Sequence, residues 1–233
     1  MLTRRERLRQ ETAQEIKDTA RRLLAEHGTS GLSLRAIARE MGMSAAALYH
    51  YFPSLDDLIT RLIVENFTAL AEALEYARDN SSASAGVGRL EAVLMAYRAW
   101  AVEHPVDFQL IYGNPIPGYV APREVTVPAV VRGFSVIVGL IHQLIETGEI
   151  RPQPPYDQLP PEIEAHMQAL IARDGYPVSP QALYLGVVGW TALHGILMLE
   201  LFNHLQPVVG DVANYYHDQV RRLLITIGLN DTS

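Results

Sequence analysis

The sequence contains no cysteine among its 233 residues. Disulfide bonds, zinc sites built on thiolates and cysteine nucleophiles are therefore all excluded. This absence is typical of proteins that work in a reducing compartment, so we expect a cytoplasmic location. The first seventeen residues are charged throughout and lack the apolar stretch that a secretory signal needs.

Signatures of catalysis are also missing. The chain has neither the glycine-rich phosphate loop of nucleotide-binding enzymes nor the Gly-x-Ser-x-Gly turn of serine hydrolases. Glu200 and His204 are four residues apart and would make half of a metal site, but the scattered histidines supply no matching second half. A pair of surface residues explains that spacing better. We therefore predict a protein that is not an enzyme and that has neither a metal site nor a cofactor.

Charged residues are absent between Asp174 and Glu200, and this stretch is long enough to cross a bilayer. However, Pro177 and Pro180 shorten its helical part to about residues 181–199, and both flanks are acidic, whereas membrane spans usually have basic cytoplasmic flanks. We interpret it as a helix buried on all sides, at the centre of a dimer or core, and expect no membrane association. A membrane-spanning helix is the alternative.

The net charge of −7 conceals an uneven distribution along the chain. Residues 1–53 contain nine Lys and Arg against six acidic residues, whereas the remaining residues contain ten against twenty. A basic segment attached to an acidic body is typical of nucleic-acid-binding proteins. A solvated helix face is the alternative. Residues 1–9 are expected to form a disordered basic arm, which would add sequence-independent DNA affinity or only solubility.

Residues 32–52, LSLRAIAREMGMSAAALYHYF, have the pattern of two short helices joined by a tight turn. Ser33 and Ser44 stand where N-cap residues belong, because a hydroxyl accepts a hydrogen bond from an otherwise unpaired backbone N–H. Gly42 allows the turn between them. Small residues at the start of the second helix let its backbone approach another surface closely. The pattern predicts a helix-turn-helix, whose second helix enters the DNA major groove.

Helical spacing of apolar residues continues along the rest of the chain, and no segment requires a β-strand. Ser54 and Asp57 match a capping box that begins a long helix. Helices are predicted at about residues 12–26, 55–78, 89–103, 105–112, 127–147, 162–173, 181–205 and 212–227, with loops at 80–88 and 113–126. We predict an all-α protein with a three-helix helix-turn-helix head at residues 1–53 and a helical-bundle body at residues 54–233.

Residues 12–67 resemble the DNA-binding domain of the TetR family of bacterial transcriptional regulators. The resemblance is carried by the A-x-x-L-L-x-x-x-G pattern at residues 20–28 and by the segments LSLRAIAREMGMS and ALYHYFPSLDDL. In the segment GWTALHG, residues Trp190, His194 and Gly195 resemble the signature of the C-terminal ligand domain called WHG.

The resemblance implies a homodimer in which the body binds a small molecule. Helices at about 181–205 and 212–227 would form the dimer interface. The expected function is that of a transcriptional regulator, usually a repressor that a ligand releases from a palindromic operator. The helix at 55–78 would transmit the change from body to head. The expected partners are double-stranded DNA, a small-molecule effector and a second copy of the chain.

The resemblance also implies roles for single residues of the head. Ser44 and Tyr49 match positions that usually contact phosphates, although packing of the Tyr49 ring in the core is an alternative. Ala45 and Ala46 match positions that usually read bases, where alanine offers only a methyl group. Sequence selection would then depend on His50, Arg35 and DNA shape. The predicted DNA-binding residues are Ser33, Arg35, Ser44, Ala45, Ala46, Tyr49 and His50.

The residue after the F-P-S run departs from the family pattern. The family often has a lysine there, where it can meet a phosphate, but this chain has Leu55 followed by Asp56 and Asp57. We expect weaker non-specific DNA affinity as a result. Together with the alanine run, this departure leaves open an alternative function, namely a small-molecule sequestering protein whose head has lost specific DNA binding.

Aromatic, histidine and methionine side chains of the body are the candidates for a small-molecule pocket. Plain core packing remains the alternative for each of them. Gly186, Gly189, Ala192 and Gly195 would allow another helix to approach closely, within the subunit or across the dimer. Three of the pocket candidates are spaced four residues apart and so share one helix face. The candidates are Tyr97, Trp100, Phe108, Tyr112, Phe134, His142, Trp190, His194 and Met198.

Overall fold

The computed structural model describes residues 3–82, 86–113 and 116–229. Over these ranges the elements are helices, and the only β-type pairing is an isolated antiparallel bridge between Ile150 and Leu229. The predicted all-α class is therefore confirmed. Residues 1–2 of the predicted arm, 83–85 of the first predicted loop and 114–115 of the second lie outside the described residues.

Eleven α-helices are found in the described ranges, and a short 3-10 turn at Thr29–Gly31 follows the first of them. The helices are α1 (Arg4–His27), α2 (Leu34–Glu40), α3 (Ala45–Tyr49), α4 (Leu55–Asn80), α5 (Gly86–Glu103), α6 (Pro105–Tyr112), α7 (Arg123–Glu146), α8 (Pro161–Asp174), α9 (Pro180–Leu201), α10 (Gln206–Val209) and α11 (Val212–Thr226).

Helix α1 begins eight residues earlier than predicted. The Thr3 hydroxyl accepts the N–H of Glu6 at 3.3 Å, and the Glu6 carboxylate accepts the N–H of Thr3 at 2.6 Å. This capping box satisfies two backbone donors that a helix start otherwise leaves unpaired. The predicted disordered arm is therefore wrong for its described part, and the arginines of this segment project from a helix.

The chain divides into two compact units. The first comprises Met1–Asn66 and His104–Thr126, and the second comprises Phe67–Glu103 and Val127–Ser233. The first unit is larger than the predicted head because α6 packs on α1, where Arg21 Nε donates to Asp107 Oδ1 at 2.8 Å. A functional boundary between head and body after residue 53 stays a prediction.

The core of the first unit is formed by apolar residues of α1 to α4. Ile16, Ile37 and Leu48 are fully buried, and Phe52 is only 2% exposed. Leu48 and Phe52 were predicted core residues, and their burial is confirmed. Burial of each large apolar side chain stabilises the fold by about 1.5–3 kcal/mol, and this packing fixes the short helices α2 and α3 on α1.

In the second unit, helix α9 packs against α5, α8 and α11. A side chain at Gly186 would overlap Val138 Cγ1 of α7, and one at Gly189 would lie 3.1 Å from Leu223 Cδ2 of α11. These two glycines therefore allow close approach within the subunit. A side chain at Gly195 would meet nothing within 4 Å, and the adjacent face of α9 is exposed in the single chain. In the single chain this face of α9 is not buried, and the predicted burial at the centre of a dimer stays a prediction.

Helices α7 and α9 are each long and apolar enough to cross a membrane. The apolar 18-residue stretch of each helix has a mean hydropathy of 1.7, and 39% of that stretch is buried. The criterion uses only length and composition. A core helix of a soluble protein also satisfies it, so these two helices are weak support for a membrane location.

Glu200 is buried near the end of α9 and is not a surface residue. Its carboxylate accepts hydrogen bonds from Arg98 of α5 at 2.9 and 2.5 Å. The predicted surface location was wrong because this partner lies far away in the sequence. Helix α9 ends at Leu201, so Glu200 and His204 do not share a helix face.

Candidate nucleic-acid interface and ligand cavity

Helices α2 and α3 are joined by a tight turn and are each capped by a serine. Gly42 has a φ of +65°, a conformation that residues with a Cβ rarely adopt. Ser33 Oγ accepts the N–H of Ala36 at 3.1 Å, and Ser44 Oγ accepts the N–H of Ala47 at 3.2 Å. The predicted N-caps and the helix-turn-helix geometry are therefore present, with both hydroxyls exposed beside the first turn of a helix.

Most of the predicted DNA-contact residues lie on the surface of α2 and α3. Ala45 is partly exposed, whereas Ser33, Arg35, Ser44, Ala46, Tyr49 and His50 are exposed. The Tyr49 side chain is 48% exposed, so the alternative in which its ring packs in the core does not hold. The surface of α3 is thus available to a partner, and its contact with DNA stays a prediction.

The cations of residues 1–53 fall into two groups. Lys17, Arg21 and Arg22 are paired with carboxylates of the same unit, at 2.7 Å from Glu65, 2.8 Å from Asp107 and 3.0 Å from Glu40. The remaining cations have no carboxylate within 4.0 Å among the described residues. This second group consists of Arg4, Arg5, Arg7, Arg9, Arg35 and Arg39.

The unpaired group lies on the first turns of α1 and on α2. Paired cations hold the unit together, whereas unpaired exposed cations retain their attraction for an external polyanion. Sequence reasoning had placed Arg35 at the interface and the arginines of residues 1–9 in a disordered arm, but it had missed Arg39. The capping-box pattern at Thr3 and Glu6 was the signal that could have located the arginines of α1.

The start of α4 carries negative charge next to this interface. Leu55 is the first residue of the helix and is partly exposed, and Asp56 and Asp57 are exposed. Ser54 Oγ accepts the N–H of Asp57 at 3.0 Å and donates to its carboxylate at 2.7 Å, so Ser54 caps the helix as predicted, although the second bond of a capping box, from the Ser54 N–H to the Asp57 carboxylate, is not found among the described residues. The carboxylates stabilise the helix N-terminus but oppose the approach of a phosphate.

A small apolar cavity of about 20 Å³ lies within the second unit. This volume holds about one water molecule. Tyr97 and Trp190 are the two predicted pocket residues in its wall. Sequence reasoning missed the aliphatic lining, because apolar residues of a cavity and of a filled core have the same helical spacing. The other lining residues are Leu90, Leu94, Ile137, Ile141, Leu185, Gly186, Gly189, Leu193, Leu223, Leu224 and Ile227.

A hydrogen-bonded chain of three side chains forms the polar edge of this cavity. Trp190 Nε1 donates to Tyr97 Oη at 3.2 Å, and Tyr97 Oη lies 3.0 Å from His194 Nδ1. The Tyr97 hydroxyl accepts from the indole and can donate to His194 Nδ1 when the neutral imidazole carries its proton on Nε2. Burial lowers the pKa of His194 below its ordinary value of 6.5, which keeps the ring neutral at pH 7.

Phe134 of α7 extends this aromatic cluster. Its ring is 6.5 Å from that of Trp190 and 6.2 Å from that of Tyr176, both in edge-on geometry. The structure therefore brings together four of the predicted pocket residues, namely Tyr97, Phe134, Trp190 and His194.

The other pocket candidates lie elsewhere in the fold. Phe108 and Tyr112 belong to the first unit, where their rings are 5.1 Å apart. The prediction that they share a pocket with the second-unit candidates is not supported by this division. Trp100 is buried in α5, and Met198 is half-buried one turn beyond His194. His142 Nδ1 is buried and has no hydrogen-bond partner in the part of the chain that is described.

Comparison with known proteins identifies both halves of the chain. Residues 16–62 match the model of bacterial regulatory proteins of the tetR family, and residues 90–223 match that of the tetracyclin repressor-like C-terminal domain. The latter match does not test the WHG resemblance, which stays a prediction.

Two similar proteins match nearly the whole chain, and a third matches about a quarter of it. The HTH-type transcriptional regulator Rv1816 of Mycobacterium tuberculosis is 32% identical over 219 residues, which are 94% of this chain and 93% of that protein. A solved structure described as that of a regulatory protein, SCO4313, is 33% identical with a TM-score of 0.75, covering 95% of this chain and 99% of the other. The HTH-type transcriptional repressor AcnR of Corynebacterium diphtheriae is 36% identical over 61 residues, 26% of this chain and 32% of AcnR.

The family model of the C-terminal domain alone covers more than half of the chain, and the helix-turn-helix matches a second model from the same family. The relatives are DNA-binding transcriptional regulators and not enzymes. The chain therefore belongs to the TetR family of bacterial transcriptional regulators.

Proposed function

We propose that this regulator is a cytoplasmic, dimeric repressor that binds a palindromic operator and is released from it by a small, largely apolar molecule. The observation that carries the proposal is the exposed polar surface of α3, flanked by Arg4, Arg5 and Arg9, which have no carboxylate within 4.0 Å among the described residues. Such cations displace counterions from DNA when they meet phosphates, which is the main source of affinity in protein–DNA binding.

Sequence readout at this surface would depend on few side chains. Arg35 and His50 are exposed and can donate hydrogen bonds to base edges, while Ala45 and Ala46 offer methyl contacts. Ser44 and Tyr49 would hold phosphates and fix the register of α3 in the groove. The similarity of about a quarter of this chain to the repressor AcnR supports repression as the mode of regulation.

The second unit supports the ligand part of the proposal. The cavity is apolar except for the Tyr97–Trp190 edge, a composition typical of small-molecule sites. Since it holds about one water molecule, an effector must displace side chains in order to enter. Binding would therefore favour a conformation different from the unliganded one, and this differential affinity is what a ligand-driven switch requires. Helix α4 contributes residues to both units. A conformational change in the second unit could therefore be transmitted to the first along this helix.

Dimerisation is supported by the apolar surface at the end of α9. Leu199 and Phe202 are 47% and 48% exposed, Gly195 faces open space, and Ile225 of α11 is 58% exposed. Exposed apolar residues on helices of a soluble protein commonly mark an interface with another chain. A two-fold dimer would present two α3 helices about 34–36 Å apart, one turn of DNA.

The DNA-binding part is tested by fluorescence anisotropy with the DNA upstream of the protein's own gene. We expect saturable binding that weakens steeply between about 50 and 200 mM salt. Unlabelled copies of the same DNA should compete better than a shuffled sequence of equal length. Absence of saturable, salt-sensitive binding would remove the proposal.

The ligand part is tested by a thermal-shift screen of small apolar compounds, followed by the same anisotropy assay. A compound at about 100 times its Kd should stabilise the folded chain by about 2.7 kcal/mol and should release the DNA. A compound that binds tightly without changing DNA occupancy would instead favour the sequestering alternative.

A further inference from the structure

The first turns of α1 face α3 across an open groove in the first unit. The residues of α1 in this groove are spaced so that they share one helix face, and they meet the last residues of α3 and its flanking turns. One wall consists of Arg4, Arg5, Leu8, Arg9 and Thr12, and the other of Met43, Ala47, His50 and Tyr51.

The groove is positively charged. Three arginines line it, none of them has a carboxylate within 4.0 Å among the described residues, and no acidic residue belongs to its walls. The nearby carboxylate of Glu6 is held in the capping box by the N–H of Thr3. Arg9 Nη2 also donates to the carbonyl of His50 at 3.5 Å, which joins the α1 wall to the end of α3.

We propose that one DNA sugar-phosphate strand lies in this groove, with Arg4, Arg5 and Arg9 contacting phosphates beside the base pairs that α3 reads. The inference rests on the proposed operator binding. A recognition helix in the major groove is bordered by a phosphate strand on each side, and the groove lies directly beside α3. The family match in the head begins at residue 16, so Arg4, Arg5 and Arg9 lie outside the part of the head that the family model describes, whereas the α3 wall lies within it.

Phosphate contacts add affinity and salt dependence but carry no direct sequence information. A variant with Arg4→Ala, Arg5→Ala and Arg9→Ala should therefore bind promoter DNA and shuffled DNA more weakly by the same factor. The slope of log K against log salt should become shallower by about 0.9 for each lost contact, or by 2–3 per head. Alanine preserves the helix, and circular dichroism and the thermal midpoint would check this.

Arg5 and Arg7 form a matched pair for the decisive comparison. Both are exposed on α1, and neither is ion-paired within the described residues, but only Arg5 lines the groove. We expect Arg5→Ala to make the salt slope shallower by about 0.9 per head, or about 1.8 for the two heads of a dimer, and Arg7→Ala to leave it unchanged. Neither residue has a structural bond like that of Arg9, so a folding defect is not expected to obscure the result.

The possible outcomes separate this inference from the function on which it rests. If the wild-type protein shows no saturable DNA binding, both are overturned. If the wild-type protein binds and the triple variant binds equally well, or if Arg5→Ala and Arg7→Ala act alike, only the groove assignment is overturned. If the triple variant loses affinity for promoter DNA alone, the arginines read bases and the assignment to phosphates is wrong.

Discussion

Tyr97 Oη of α5 and His194 Nδ1 of α9 lie 3.0 Å apart although 97 residues separate them in the sequence. The indole N–H of Trp190 donates to the same hydroxyl at 3.2 Å, so the Tyr97 hydroxyl joins the indole to the imidazole. Protonation of His194 would alter this arrangement, because Nδ1 would become a donor and the Tyr97 hydroxyl would have to accept from it.

This arrangement predicts a pH-dependent stability. Burial lowers the pKa of His194 in the folded state, so the unfolded chain binds the proton more tightly. The unfolding free energy should therefore fall as the pH drops below about 6.5, and the loss should continue down to the folded-state pKa. Urea titrations of the wild-type protein at pH 7.5 and at lower pH would measure this decrease.

His194→Gln supplies the control for the pH prediction. The amide oxygen of glutamine can still accept from Tyr97, but the side chain does not titrate. The variant should lose stability less steeply over the same pH range, since other groups titrate equally in both proteins. Identical pH profiles for the two proteins would show that His194 does not contribute.

Replacing Gly186 or Gly195 by alanine should have opposite effects on the stability of the fold. A methyl group at Gly186 would overlap Val138, whereas one at Gly195 would meet nothing within 4 Å. Overpacking typically costs about 1–3 kcal/mol, while replacing glycine by alanine within a helix gains up to about 1 kcal/mol. Urea unfolding should therefore show Gly186→Ala to be less stable than Gly195→Ala. Equal stabilities would mean that α7 and α9 move apart at little cost.

The helices were predictable from the sequence because their ends are local. Ser33, Ser44 and Ser54 each cap the helix that follows, and Gly42 provides the turn between α2 and α3. Apart from the short helix α10, which was not predicted, boundaries shifted, as in α7, which begins at Arg123 with Pro128 inside it. Pro128 lies beyond the first turn, so it removes the N–H that would bond to the carbonyl of Glu124.

The long-range pairs were not predictable, because helical spacing tells which residues share a face but not which faces meet. The buried pair of Arg98 and Glu200 illustrates this, since Glu200 had the spacing of a surface residue. The cavity was missed for a related reason, as its aliphatic lining is indistinguishable from a packed core. The paired and unpaired arginines of the head likewise differ only in their three-dimensional neighbours.

Replacing Tyr49 by phenylalanine should lower the affinity for DNA without lowering the stability of the fold. The Tyr49 ring is 48% exposed, so Tyr49→Phe should leave the thermal midpoint unchanged. A hydrogen bond to a charged group is worth about 1.5–3 kcal/mol, and its removal should weaken DNA binding by about ten-fold or more. Tyr76→Phe is the matched control, because Tyr76 is 70% exposed in the second unit. Unchanged affinity for Tyr49→Phe would remove this residue from the interface.

Replacing Leu55 by lysine should raise the affinity for DNA. Leu55 is the first residue of α4, is partly exposed and precedes two exposed aspartates, so the region now repels phosphate. Leu55→Lys should add one phosphate contact per head and make the salt slope steeper by about 0.9 per head, or about 1.8 for the two heads of a dimer. The cation is unfavourable at a helix N-terminus by about 0.3–1 kcal/mol, and a small decrease in the thermal midpoint is therefore expected. Leu55→Gln separates charge from the loss of the leucine side chain, because it has similar length and no charge. If glutamine raises the affinity as much as lysine does, or if the slope stays constant with lysine, the residue does not face the DNA backbone.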